Sequence, residues 1–184
     1  MRGADAQSAA PYRARGQPAM PGFTAPKLLW LRRHEPEVFA RIATVLLPKD
    51  WLRLQLTGEK VSEMSDAAGT LWLDVARRGW SDELLAACDL HRQQMPTLVE
   101  GSEPSGRLLP QWSHRWGIPQ TAVVAGGAGD NAASAVGIGS VEPGQGFLSL
   151  GTSGVLFVCD DRFRPNPRSA VHAFCHALRG AGTR

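Results

Sequence analysis

Two glycine-bordered turns hold the residues with the best claim to chemistry. Residues 126–139 read Gly-Gly-Ala-Gly-Asp-Asn-Ala-Ala-Ser-Ala-Val-Gly-Ile-Gly, so Asp130, with Asn131 after it, stands where a strand feeds a glycine turn and a small-residue helix begins. A carboxylate held there can accept a proton from a substrate hydroxyl. Aspartate is also a preferred helix N-cap, and on spacing alone the cap is the commoner reading; the two roles are compatible. The second turn, Gly151, Thr152, Ser153 and Gly154, joins two apolar runs within residues 146–159. Its backbone N–H groups and two hydroxyls, with almost no side-chain bulk, can wrap phosphate oxygens closely. It is not a P-loop, since no Gly-Lys-Ser/Thr follows, and neither turn contains Gly-x-Gly-x-x-Gly. A plain tight hairpin explains the tetrapeptide equally well. The pair favours chemistry: an aspartate on one glycine turn and a phosphate-type turn about twenty residues further on.

The other candidates are weaker. His172, Cys175 and His176 offer metal-ligating atoms, but a closed zinc site needs four ligands and no fourth is nearby, so no metal site is assigned. Trp30, Trp51, Trp72, Trp80, Trp112 and Trp116 can stack on a ligand, although the area each buries argues for core or interface positions. Lys27 and Lys49 each follow a proline. Either reaches a phosphate or, more simply, sits solvated at a helix start.

These turns need a scaffold, and 184 residues with 43% hydrophobic content are enough for a packed domain. The pattern alternates helix and strand. Residues 1–17 lack hydrophobic periodicity and read as a disordered head. Thr24 caps a helix from Pro26 through Leu31, a short helix covers 35–41, the β-branched run 42–47 reads as a buried strand, and Pro48 opens a helix that stops at Gly58. A polar turn spans 63–70. Ser81 caps a helix to about Cys88, a loop runs to about Gly106, a helix covers 108–116, and 121–125 form a buried strand. Residues 146–159 form a β-hairpin with the polar tip.

Composition excludes several classes. No run of eighteen apolar residues exists and residues 1–20 contain no signal-like stretch, so the chain reads as soluble and cytoplasmic with no membrane partner. Cys88, Cys159 and Cys175 are too few and scattered for a disulfide framework. The isoelectric point near 9.1 comes from the ends. Of the formal net charge of +3, residues 1–20 hold +2 and the last few residues +2, leaving −1 for the body. That distribution, without aromatics interleaved among clustered Lys and Arg, argues against a nucleic-acid partner.

Several stretches resemble the FGGY carbohydrate kinases. Residues 22–34, Gly-Phe-Thr-Ala-Pro-Lys-Leu-Leu-Trp-Leu-Arg-Arg-His, match that family's first signature at every constrained position. Residues 46–52 (Leu-Leu-Pro-Lys-Asp-Trp-Leu), 64–74 (Met-Ser-Asp-Ala-Ala-Gly-Thr-Leu-Trp-Leu-Asp) and 171–178 (Val-His-Ala-Phe-Cys-His-Ala-Leu) are similar to its xylulokinase branch. The similarity covers about 18–178. It implies part of an actin-like, ribonuclease-H-like α/β ATPase fold, with 18–140 from the N-terminal domain and 141–184 from the start of the C-terminal one. It further implies transfer of the γ-phosphoryl of ATP, with Mg2+, to D-xylulose in D-xylose catabolism. Asp130 corresponds to the family's general base, Asn131 to a sugar-binding neighbour, and Gly151, Thr152, Ser153 and Gly154 to its second phosphate motif. Family members also carry an Asp-x-Gly-Thr hairpin, a Met-His-Gly segment and a late glycine-rich adenosine motif, none of which occurs here. The chain is therefore expected to be an internal fragment, inactive alone, with exposed strand edges. A kinase of another sugar or polyol, such as L-ribulose or glycerol, and a non-catalytic product are the competing readings; a homodimer is left open.

Overall fold

The computed structural model describes residues 16–152, 154–166 and 169–179. Helix α1 (Thr24–His34) leads into a single turn, α2 (Pro36–Phe39). Thr24 does not cap α1: Phe23 occupies the cap position and Thr24 is already helical, with no side-chain cap bond. Helix α3 (Pro48–Thr57) starts on Pro48, where the missing N–H has no intrahelical acceptor to lose. It ends at Gly58, whose φ of 79° is the left-handed conformation that closes a helix without a Cβ clash.

Strand β1 (Val61–Glu63) runs straight into α4 (Met64–Ala68), followed by the short strands β2 (Leu73–Asp74) and β3 (Gly79–Trp80). Helix α5 (Asp82–Ala86) is capped as expected, Ser81 Oγ accepting from Leu84 N at 3.3 Å. A 3₁₀ turn (Arg92–Gln94) precedes β4 (Thr97–Val99) and β5 (Pro104–Arg107). Then come α6 (Pro110–Trp116), β6 (Val123–Ala125), α7 (Asp130–Gly137), β7 (Gly146–Leu150) and β8 (Gly154–Val158).

Among the described residues the strands pair as four two-stranded sheets: β1 with β4 in parallel, and β2 with β3, β5 with β6 and β7 with β8 antiparallel. The sequence misreads four of these stretches. Residues 63–70, expected as a polar turn, hold the end of β1 and the mostly buried helix α4. Residues 121–125, expected as a buried strand, give a β6 with Val123 51% exposed. The other two are 42–47 and the stretch before Gly106. Residues 42–47 form no strand; they are tied to the 3₁₀ turn, Val45 N donating to Gln94 O at 2.8 Å and Gln94 Nε2 to Ile42 O at 2.9 Å. The supposed loop before Gly106 contains β4 and most of β5.

The core lies under α4, β2, β3 and α5, around Leu71, Trp72, Leu73, Val75, Leu85 and Leu90. Trp72 and Trp80 are buried with satisfied ring N–H groups, to Cys88 Sγ at 3.3 Å and Pro96 O at 2.8 Å. Trp30, Trp51 and Trp116 are exposed rather than core. Gly16 and Gln17, which the sequence assigns to the head, are buried against the segment before Cys175, Ala173 N donating to Gly16 O at 2.9 Å. The rest of the head lies outside the described residues.

Candidate functional site

The glycine turn between β6 and α7 is gripped from three sides. Arg53 Nη2 donates to Gly126 O, Gly127 N donates to Gly101 O at 2.9 Å, and Gly129 N donates to Ser65 Oγ at 2.9 Å. Two of the glycines are required here: Gly127 has φ +79°, and a Cβ on Gly126 would run into the Glu100 carbonyl. The cap residue of α7 is Gly129, which makes Asp130 the first helical residue and sets its carboxylate at the positive end of the helix. Asp130 is exposed. Its Oδ1 accepts from Asn131 N at 2.7 Å and Asn131 Nδ2 at 3.1 Å, and among the described residues Oδ2 accepts no hydrogen bond.

Behind the turn lies a buried ion cluster that sequence reasoning missed. The Asp50 and Glu63 carboxylates are essentially inaccessible, as is the Arg53 guanidinium. Arg53 Nη1 lies 2.8 Å from Asp50 Oδ1 and also donates to Val61 O. Lys49, expected to be solvated, reaches inward to Asp50 Oδ1 at 3.1 Å, Glu63 Oε1 at 3.6 Å and Asp66 Oδ2 at 3.7 Å. Both Glu63 oxygens are occupied: Oε1 by Asp66 N at 2.8 Å, Oε2 by Ser65 N at 2.7 Å, and both by the Ser65 hydroxyl. Burial raises the Asp66 carboxyl above the ordinary value of 3.8; Lys49 opposes this, and the neighbouring Glu63 and Asp50 reinforce it.

Asp66, Gly129, Asp130, Asn131 and Gly154 line one cleft of about 1030 Å3. Of the predicted phosphate turn, Gly154 is on the cleft wall, Gly151 and Thr152 are exposed at the hairpin tip, and Ser153 lies outside the described residues. His172, Cys175 and His176 also line the cleft. Burial lowers both histidine pKa values, a Ser140 backbone contact opposing it at His176, and burial pushes the Cys175 thiol up to about 11. Among the described residues no group of three or more His, Cys, Asp or Glu is placed to hold a metal, and no helix is long and apolar enough to cross a membrane.

An exposed carboxylate at a helix start, a neighbouring side-chain amide and a small-residue hairpin on one cleft suit proton abstraction from a hydroxyl beside a phosphate. The chain belongs to the FGGY family of carbohydrate kinases, whose N-terminal domain matches residues 4–137. It is 64% identical over 163 residues to the xylulose kinase of Escherichia coli (strain K12), covering 89% of this chain and 34% of that protein. With the Klebsiella pneumoniae xylulose kinase it shares 62% identity over 165 residues, 90% of this chain and 34% of the other. The crystal structure of a xyloylose kinase from Brucella ovis matches at a TM-score of 0.92 and 56% identity, over 95% of this chain and 36% of that one. The architecture is thus part of the actin-like ATPase fold of these kinases, and the chain spans about a third of the length of the curated relatives it matches.

Proposed function

We propose that the complete enzyme containing this segment is a xylulokinase, which transfers the γ-phosphoryl of ATP to a hydroxyl of D-xylulose and yields D-xylulose 5-phosphate for D-xylose catabolism in the cytoplasm. The observation that carries this reading is Asp130: an exposed carboxylate on the cleft, with Oδ1 held by Asn131 and Oδ2 without a partner among the described residues. Oδ2 takes the proton from the attacking hydroxyl as the new O–P bond forms. Asn131, with its amide nitrogen turned to Asp130, presents its carbonyl oxygen to a neighbouring sugar hydroxyl. Gly151, Thr152, Ser153 and Gly154 cradle phosphate through backbone N–H groups and hydroxyls.

Mg2+ usually takes one or two carboxylates together with the phosphates it arrives with. The carboxylates that line this cleft, Asp66, Asp130 and Asp160, would serve that mode and not a protein cage, since among the described residues no three His, Cys, Asp or Glu are grouped to hold a metal. When bound with ATP the ion neutralises charge on the transferring group. Residues 18–140 belong in this reading to the N-terminal domain and 141–184 to the start of the C-terminal one.

The test is Asp130→Asn in the complete enzyme. The variant keeps size and helix position but loses the proton acceptor, so folding persists while turnover with D-xylulose falls by roughly two to four orders of magnitude. Near-normal turnover sinks the assignment, and a panel of ketoses and polyols separates D-xylulose from L-ribulose or glycerol as the substrate.

A further inference from the structure

We infer that Ser65 is a positioning residue for the base, a role that rests on the reading of Asp130 above. Helix α7 has no side-chain cap of its own: its cap residue is Gly129, and Ala132 at the third helical position cannot reach back to the Gly129 N–H as a glutamate or glutamine would. Ser65, from α4, supplies the missing acceptor at 2.9 Å. A hydroxyl has one proton, and in Ser65 that proton is committed, because Oγ donates to Glu63 Oε1 and Oε2 at 3.0 and 2.8 Å. The Ser65 lone pair is therefore the part left facing Gly129.

Glu63 is in turn fixed by Ser65 N, Asp66 N and Lys49. The result is a charge-assisted chain in a water-poor interior that runs from Glu63 through the Ser65 hydroxyl to the peptide next to Asp130. Ser65 and Asp66 both touch the cleft, as do Gly129 and Asp130. Fixing the peptide before Asp130 fixes the height and tilt at which its carboxylate meets the sugar. Reaction rates at such sites are sensitive to displacements of about 1 Å, worth up to about 100-fold.

The experiment is a double-mutant cycle in the complete kinase carrying this segment, with steady-state kinetics on D-xylulose and thermal melting for each variant. Ser65→Ala is expected to lower kcat by roughly 10- to 100-fold with KM for the sugar changed less than about threefold. Added to Asp130→Asn, it is expected to cost less than about twofold more, because the group it positions is already gone. Ser65→Thr, which keeps the hydroxyl, is expected to retain most of the turnover. Unchanged kcat in Ser65→Ala, an equal loss in the Asp130→Asn background, a rise in KM alone, or a Ser65→Ala protein that fails to fold each overturns the inference. The two readings fail separately: near-normal turnover of Asp130→Asn removes the functional assignment and this inference with it. A dead Asp130→Asn beside an unaffected Ser65→Ala removes the positioning role only.

Discussion

Arg53→Leu tests whether the buried charges behind the Gly126–Gly129 turn hold the fold. In the native chain the guanidinium is nearly inaccessible, pairs with Asp50 Oδ1 at 2.8 Å and donates to the carbonyls of Val61 and Gly126. Leucine fills comparable volume but strands a fully buried carboxylate, whose Oδ2 already has no partner among the described residues, and two buried carbonyls. Breaking a buried pair by removing one partner costs about 3–5 kcal/mol. Lys49 at 3.1 Å from the same carboxylate offsets part of that loss, while each carbonyl that loses its donor adds about 1–3 kcal/mol, so a loss of at least about 3 kcal/mol is expected. Against a typical stability of about 5–15 kcal/mol this is a large share. Urea unfolding followed by tryptophan fluorescence measures it directly, with a midpoint lower by about 1–3 M. Arg53→Lys keeps the charge but not the planar fork and falls between the two. Asp50→Leu combined with Arg53→Leu removes both charges and is less damaging than Arg53→Leu alone. A loss below about 1 kcal/mol for Arg53→Leu, or a double variant weaker than the single one, would refute the reasoning.

Asp66 carries a carboxyl pKa raised in the folded state, so the unfolded chain ionises first as pH climbs past 3.8 and folding is progressively disfavoured. Asp66→Asn is therefore expected to melt higher than the parent at neutral pH, with the difference shrinking as pH falls into the acid range; differential scanning calorimetry across pH reads this. His176 has the opposite sign. Leu178 N donates to its Nδ1 at 3.1 Å, which leaves the proton on Nε2 toward Ser140 O, and a second proton would have to displace that donor. With its pKa and that of His172 lowered from 6.5, the unfolded chain protonates first, so stability is complete above pH 6.5 and drops as pH falls below it; His176→Gln flattens the drop in a melting-temperature series. Cys175, buried with a thiol pKa of about 11, is expected to resist aromatic disulfide reagents at neutral pH in the native chain and to react promptly in denaturant.

The legibility of this chain divides along charge. The helix that begins on Pro48 and stops on Gly58, the Ser81 cap and the β7–β8 hairpin were readable because local backbone chemistry sets them. Strand β1 was not, because its residues Ser62 and Glu63 are buried polar groups, and a strand that hides polar side chains shows no hydrophobic alternation. Its partner β4 fell inside a supposed loop for a related reason: a three-residue parallel pairing across more than thirty positions leaves no local signal. Lys49 read as a solvated helix-start lysine, and nothing local marks Asp50, Arg53, Glu63 or Asp66 for burial, because only tertiary pairing makes it possible. Asp130, by contrast, could be singled out, since the glycines that free its turn are its neighbours in sequence. Ser65 lies 64 residues from the Gly129 it serves.

The two halves of the site are held differently. The Gly126–Gly129 turn is held by three hydrogen bonds, to Arg53 on α3, to Ser65 on α4 and to Gly101 in the turn after β4, with an ion cluster behind them. The hairpin carrying the phosphate turn is apolar on both faces. Phe147, Val155 and Phe157 face inward and are half-buried, with Phe157 edge-on to His176 at 6.2 Å. Leu148, Leu150, Leu156 and Val158 occupy the other face and are 61%, 78%, 74% and 58% exposed. Strands apolar on both faces are the pattern of strands covered on both sides, and among the described residues the second side has no cover. Phosphoryl transfer needs the attacking oxygen, phosphorus and leaving oxygen in line. If the proposed assignment holds, the separation of Asp130 from the Gly151–Thr152 tip depends on what packs on the Leu148–Leu156 face, and polar substitutions on that face are expected to lower turnover of the complete kinase without touching the substrate.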